Sequence, residues 1–233
     1  MPGRGKYWER GGLNPQIVGA RATTKGFTDI RHFDDFFYDA EPVTKYATTG
    51  TFAAVAGTGG QVKWTSGITA GNQGICAMAS NGTIDPTKDF LIRARVALTG
   101  ADTELFATIG AYEVLPTAAD PPVLVDDYVA FELIEATANN DWDAITGEDV
   151  GGAGAETTTA TTVTGALDVF HDYEISFNAT TSVVTFKIDD TIRATHSANL
   201  PLITLIPCIM VTTGDTTAKA VRIDSWLVSN SRT

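Results

Sequence analysis

Two glutamates lie close together in the run FELIEA, and paired carboxyl groups can act as acid and nucleophile on a glycosidic bond. That chemistry requires both carboxyl groups to face the same groove. Glu132 and Glu135 are three residues apart, and successive residues of a strand point to opposite faces of a sheet. We therefore interpret both as ordinary strand-edge carboxylates that cannot act as a pair.

The histidines show no spacing typical of catalysis or of metal binding. His32, His171 and His196 are scattered along the chain, and His171 next to Asp172 is expected to cap a strand or lie on the surface. The sequence also lacks a nucleophile-elbow serine motif, an HExxH zinc motif and a phosphate-binding loop. The sequence predicts no catalytic residues, so we expect that the chain is not an enzyme.

Several predicted loops offer the hard oxygen ligands that calcium prefers. These are Asp126, Asp127, Asp141 and Asp143, with Asn139 and Asn140 beside them. None of these runs matches a defined calcium loop. The prediction is therefore no metal and no cofactor, with calcium as the weaker alternative.

The run Asn139, Asn140, Asp141 and Trp142 is the best candidate for binding carbohydrate. Sugar sites combine an aromatic surface with amide and carboxylate hydrogen-bonding partners in one concave place. The alternative is that Trp142 begins a strand and packs inward, and this alternative is favoured.

Residues 1–32 are predicted to form an extended basic arm outside the folded domain, which spans 33–233. The arm shows neither strand nor helix periodicity. It contains six basic residues up to Arg31, against Glu9 and Asp29. Aromatic and arginine side chains are common anchors of protein interfaces, and we expect the arm to bind a partner through Arg4, Lys6, Tyr7, Trp8, Arg10, Arg21, Lys25 and Phe27.

The rest of the chain is acidic and brings the net charge to −12. An acidic body repels phosphate backbones and anionic lipid surfaces. We therefore expect neither nucleic acid nor membrane as a partner. Cys76 and Cys208 lie far apart in apolar runs and are interpreted as reduced core thiols.

Period-2 alternation predicts an all-β fold. It is clearest at 90–98, 172–178, 182–189 and 221–228, where one face of each run is apolar. In the last run, Val221, Ile223, Ser225 and Leu227 are predicted to share one face. Weaker strand patterns occur throughout 51–212, and no capped amphipathic helix is evident. About a dozen strands in one domain predict two packed antiparallel sheets.

Residues 168–201, DVFHDYEISFNATTSVVTFKIDDTIRATHSANLP, resemble the late strands of concanavalin-A-like (laminin-G-like) sandwiches. The final AVRIDSWLVS resembles their closing strand, and Asp34-Asp35-Phe36-Phe37 resembles the opening of phage-associated members. The resemblance spans about 33–229 and implies a concanavalin-A-like jelly roll. The Glu-x-Asp-x-x-Glu motif of glycoside hydrolases with this fold is absent here.

The resemblance and the arm together predict a virion structural protein, specifically a capsid decoration (cement) protein of a tailed bacteriophage. Its expected partners are the major capsid protein or other virion subunits. It is expected to form a homo-oligomer, with a trimer as the first choice. The first residues lack the apolar segment of a signal peptide, so we expect synthesis in the host cytoplasm and a final place in the virion. The alternative function is a carbohydrate-binding module on a phage fibre or a cell surface.

Overall fold

A computed structural model describes residues 30–34, 46–55, 60–78, 83–100, 104–116, 126–134, 140–149 and 154–231. These ranges contain fifteen strands and no helix. The strands are β1 (Ile30–Asp34), β2 (Tyr46–Thr49), β3 (Thr51–Ala54), β4 (Val62–Thr65), β5 (Gln73–Met78), β6 (Phe90–Gly100), β7 (Leu105–Tyr112), β8 (Tyr128–Ile134), β9 (Asp141–Glu148), β10 (Ala155–Thr164), β11 (His171–Asn178), β12 (Val183–Ile188), β13 (Thr191–His196), β14 (Ile206–Thr213) and β15 (Lys219–Asn230).

The strands form two antiparallel sheets. The eight-stranded sheet has the order β13-β12-β11-β6-β15-β4-β3, and β1 pairs with β15. The seven-stranded sheet has the order β10-β9-β8-β7-β14-β5-β2. The predicted all-β, two-sheet antiparallel sandwich is confirmed. Strand β1 begins at Ile30, so the paired structure starts slightly before the predicted end of the arm.

The main core lies between the two sheets. Residues that alternate along each strand fill it, as apolar period-2 patterns require. The eight-stranded sheet contributes Trp64, Phe186 and Trp226, and the seven-stranded sheet contributes Phe131 and Trp142. All five side chains have no exposed surface. Burial on this scale gives the chain a core that needs no disulfide, and Cys76 and Cys208 are both free and buried.

Strand β15 departs from the predicted alternation. The register against β6 shifts between Ile223 and Ser225, which is a β-bulge. The extra residue moves the following side chains to the other face. As a result Val221 and Ile223 share the core with Trp226 and Val228. The predicted grouping of Leu227 with Val221 is therefore wrong.

Two buried polar side chains join elements that are distant in sequence. The Asp127 carboxylate accepts hydrogen bonds from the backbone N–H groups of Asp149, Leu202 and Ile203. His196 of β13 lies between the sheets, with its ring nitrogens 3.1 Å from Thr146 Oγ1 and 3.0 Å from Thr159 Oγ1. These contacts hold the β9–β10 edge against the β13 edge. None of the described segments forms a helix long and apolar enough to cross a membrane.

Candidate functional site

Antiparallel pairing of β8 with β9 brings two carboxylates together on the outer face of the seven-stranded sheet. Glu132 of β8 is the direct cross-strand partner of Asp143 of β9. Both point away from the core, because their neighbours Phe131 and Trp142 point into it. Directly opposed residues have Cβ atoms about 5 Å apart. The two carboxyl groups therefore belong to one site.

Strand β10 adds a third carboxylate to this face. Glu156 is paired with Gly147 of β9, which in turn is paired with Tyr128 of β8. The Tyr128 hydroxyl donates a hydrogen bond to Glu156 Oε2, and the Thr158 hydroxyl donates one to Glu156 Oε1. Hydroxyl donors therefore hold the Glu156 carboxylate at the edge of the site.

Gly147 makes the contact between Tyr128 and β10 possible. A Cβ atom at Gly147 would lie 2.3 Å from Cζ of Tyr128, well inside van der Waals contact. The tyrosine ring therefore crosses directly over the backbone of β9. This path brings its hydroxyl to Glu156.

The electrostatics of the site favour a proton on Glu132. Burial raises the pKa of Glu132 to about 7, and the negative charges of Glu156 and Asp143 add to the effect. Burial, together with Asp141 and Glu156, also raises the pKa of Asp143. Like charges at close range disfavour the ionised form of each group. At neutral pH the site therefore combines a carboxylic acid with neighbouring carboxylates, the combination needed for general acid catalysis.

The site lies where the covered part of the outer face ends. Towards β5, Leu115 packs on a second apolar cluster that contains Tyr112, Cys208 and Met210, and the Gln73 side chain donates to the carbonyl of Pro116 at 3.2 Å. Towards β10 the face becomes accessible: Glu132 and Asp143 are half-buried, while Glu156, Thr158 and Ala160 are exposed. A ligand would approach from the β9–β10 side.

The predicted sugar-binding run is divided between the two faces of β9. Asn140 is exposed just before the strand, and Asp141 lies on the site face, where it accepts a hydrogen bond from the Thr164 hydroxyl at 2.9 Å. Trp142 points into the core and packs against Tyr173, with ring centroids 5.0 Å apart. Its ring is therefore not available for stacking on a sugar. Asn139 lies outside the described residues.

The partner-binding residues predicted in the arm all lie outside the described residues. This holds for Arg4, Lys6, Tyr7, Trp8, Arg10, Arg21, Lys25 and Phe27. Asp127, a ligand candidate in the weaker calcium alternative, instead accepts hydrogen bonds from backbone N–H groups. Among the residues that the structure describes, no three metal-ligating side chains come close enough to hold an ion.

Sequence reasoning considered Glu132 only together with Glu135, rejected that pair, and missed Asp143, Glu156 and Tyr128. Glu135 lies outside the described residues. One signal was available. Asp141 and Asp143 alternate around a buried Trp142, which places both on a face opposite the core. Their partner on β8 depends on the register between the two strands, which the residues alone do not reveal.

Solved structures share this fold over nearly the whole chain. LamAcat from Zobellia galactanivorans has a TM-score of 0.61 at 12% identity, covering 84% of this chain and 96% of its own. An endo-1,3-beta-glucanase from Streptomyces sioyaensis has a TM-score of 0.60 at 13% identity, covering 90% and 99%. The carbohydrate recognition domain of Emp47p has a TM-score of 0.61 at 9% identity, covering 90% and 97%. No protein-family model and no curated protein sequence matches the chain.

These comparisons confirm the predicted concanavalin-A-like sandwich and contradict the prediction that the chain is not an enzyme. Glucan-hydrolysing enzymes are built on this sandwich. The prediction of no enzymatic activity was based on the lack of a carboxylate pair on the same face of the sheet. The register of β8 and β9 supplies that pair from two strands instead of one. None of the proteins named above is a phage structural protein.

Proposed function

We propose that the chain is a carbohydrate-binding β-sandwich whose site is the outer face of β8, β9 and β10. The observation that carries the proposal is the pairing of Glu132 with Asp143 on a partly accessible face that also bears Glu156. Carboxylates are strong hydrogen-bond acceptors for sugar hydroxyl groups. A carbohydrate recognition domain is among the proteins with this fold, which supports the same class of ligand.

The same carboxylates could also cleave the bound sugar chain, and we propose glycoside hydrolysis as the reaction of this site. Glu132, protonated at neutral pH, would give its proton to the glycosidic oxygen as the bond to the anomeric carbon breaks. Asp143 would attack that carbon and form a glycosyl ester, which water then hydrolyses while Glu132 recovers its proton. Glu132 and Asp143 are direct cross-strand partners, and a retaining mechanism requires two carboxyl groups that lie close together on one face.

Binding is tested by titrating the full chain with soluble oligosaccharides in a calorimeter, after a screen on a broad glycan array. We expect saturable binding that Glu132→Gln and Asp143→Asn weaken. The matched control is Glu174→Gln, which removes a carboxylate from the outer face of the opposite sheet, where Glu174 pairs with Lys187 at 2.8 Å. Equal loss in the control, or no binding to any glycan, would remove support for the proposal.

Hydrolysis is tested by following the release of reducing ends from each oligosaccharide that binds. Glu132→Gln should abolish the release while the variant still binds, because the amide cannot supply the proton. The anomeric configuration of the first product, measured by NMR, should match that of the substrate. Binding without any release would leave a binding module and refute the catalytic role.

The virion prediction is carried by the uneven distribution of charge, with a basic arm on an acidic domain. We propose it as a second candidate: a capsid decoration protein that binds virion subunits through residues 1–29. The test is co-sedimentation with particles lacking the protein, comparing the full chain with a chain that begins at Ile30 and so retains β1. Sedimentation of the full chain alone would support the arm; equal behaviour of both chains would refute it.

A further inference from the structure

The two sheets differ sharply in charge. The described strands of the seven-stranded sheet contain no lysine, arginine or histidine, whereas those of the eight-stranded sheet contain many. Acidic side chains near the eight-stranded sheet have basic partners: Arg95 lies 3.2 Å from Asp172, and Lys187 lies 2.8 Å from Glu174. The carboxylates of the candidate site therefore lie on a sheet that supplies no cation.

Among the described residues, the partners found for the site carboxylates are hydroxyl groups and not basic side chains. Glu156 is held by the hydroxyls of Tyr128 and Thr158, and Asp141 by the hydroxyl of Thr164. Burial and the nearby negative charges raise the pKa of Glu132 to about 7, so a proton occupies it up to neutral pH. Negative charge on this face is therefore not compensated by the described strands that form it.

Buried hydroxyl groups next to Glu132 are also incompletely satisfied. Thr108 of β7 is the cross-strand partner of Glu132 and is 1% exposed. Its hydroxyl and that of buried Tyr112 lie near each other, yet neither completes a well-formed hydrogen bond. Buried polar groups in native structures are normally paired. A ligand with hydrogen-bonding groups would satisfy them at the inner end of the site.

We propose that this face selects amine-bearing glycans, such as chains of glucosamine, over neutral ones and excludes sulfated or uronic glycans. The inference rests on the proposed carbohydrate-binding function. An ammonium group on the sugar would supply the cation that the carboxylates lack, and a sugar hydroxyl would pair with that of Thr108 beside Glu132. Sulfate or carboxylate groups would meet uncompensated negative charge.

The test compares three oligosaccharides of equal length by calorimetric titration of the full chain: a glucosamine hexamer, its N-acetylated counterpart and a sulfated hexamer. We expect the glucosamine hexamer to bind about tenfold more tightly than the N-acetylated one, the value of one charge-assisted contact. The preference should shrink as salt rises from low to physiological concentration. The sulfated hexamer should not bind.

Single substitutions distinguish binding at this specific site from general electrostatic attraction between a polycation and an acidic protein. Glu156→Gln and Asp143→Asn should each reduce the preference for the amine, and Glu174→Gln on the opposite sheet should leave it unchanged. Equal effects of all three variants, or equal affinity for the two unsulfated hexamers, would overturn the inference. Binding of the N-acetylated hexamer alone, or of neither hexamer, would overturn the inference, whereas the proposed function fails only if no glycan on the broad array binds.

Discussion

Glu132 is the residue whose environment differs most from that of an ordinary surface glutamate. It lacks a basic partner on its own sheet, it is partly buried, and carboxylates from two neighbouring strands face it. A carboxyl group with a raised pKa in the folded protein costs stability whenever it is ionised. Functional sites commonly reduce the stability of the fold in this way. Catalysis and binding need polar or charged groups whose interactions within the folded protein are incomplete.

Replacing Glu132 with Gln should stabilise the protein at alkaline pH. The folded protein holds this proton up to a pKa of about 7, whereas the unfolded chain releases it near 4.3. Wild-type stability should therefore fall between about pH 4 and pH 7, and the penalty is complete above pH 7. We expect Glu132→Gln to be more stable by about 2 kcal/mol at pH 8.

Urea unfolding of both proteins at pH 5 and pH 8 measures this difference. The gain should be small at pH 5, because Glu132 is then protonated in the folded protein and behaves much like glutamine. A stabilisation of equal size at the two pH values would show that packing, and not ionisation, is responsible.

Replacing Tyr128 with Phe should lower the pKa of Glu132. Without the Tyr128 hydroxyl, the Glu156 carboxylate loses a donor that holds it beside Glu132. It then turns towards water or takes up a proton, and either change removes negative charge from the vicinity of Glu132. An NMR titration of carboxyl carbons in protein labelled at glutamate measures the shift.

The variant Glu156→Gln provides the comparison for Tyr128→Phe. Both substitutions should lower the pKa of Glu132, and the double variant should add little to either one, because both act through the same charge. Fully additive shifts would mean that Tyr128 acts on Glu132 by another route.

At the scale of elements, strand register and the loops that secure it decide which residues meet. Asp127 stands directly before β8 and is 1% exposed. Its carboxylate accepts hydrogen bonds from backbone N–H groups at the end of β9 and in the segment before β14. Because β8 and β9 carry Glu132 and Asp143, this buried carboxylate also supports the pairing on which the site depends.

Substituting Asp127 with Asn should destabilise the protein by about 2–4 kcal/mol. The amide nitrogen would face one of the backbone N–H groups that now donate to a carboxylate oxygen, and a buried donor would be left unpaired. The midpoint of urea unfolding measures the loss. Asp126→Asn is the matched control. Asp126 is more exposed than Asp127, and Asn tolerates the positive φ of 62° found at that position. An equally large loss of stability in Asp126→Asn would refute the role assigned to Asp127.

At the scale of the whole molecule, the edge where β13 meets β9 and β10 is closed by a neutral histidine. His196 is 3% exposed, packs on Phe186 with ring centroids 5.0 Å apart, and reaches hydroxyls of the opposite sheet through both nitrogens. Burial lowers its pKa. Protonation would place an uncompensated charge between the sheets.

Acidification should therefore weaken the sandwich through His196. The unfolded chain takes up this proton near pH 6.5 while the folded protein resists it, so stability should fall as the pH drops below 6.5. Glu132 contributes the opposite pH dependence, equally in both proteins, so the test is the difference between them. On going from pH 7.5 to pH 5.5, the thermal stability of His196→Gln should rise relative to that of the wild type. The control is His171→Gln, which alters a half-buried histidine 2.7 Å from Asp189. An identical change of thermal stability with pH in wild type and His196→Gln would contradict the prediction.

The sequence alone was sufficient for the fold class and for most strands. Period-2 alternation marks β6, β11 and β12 directly, because each buries one face against the core. The Asp189-Asp190 turn was also predictable from its residues, and both adopt positive φ, 52° and 60°. Local patterns of this kind report burial and turn geometry without any knowledge of the partner strand.

Only the tertiary structure decided which carboxylates form a site. Glu132, Asp143 and Glu156 belong to three strands, and their meeting depends on register, which a single-residue slip would reverse. The β15 bulge, which places Trp226 in the core, was also decided only by the tertiary structure. The sequence left two interpretations of Trp142, and the structure shows that it points into the core. The composition predicts an acidic domain. The pairing of β8, β9 and β10 places acidic side chains without basic partners from those strands on one face of the sheet.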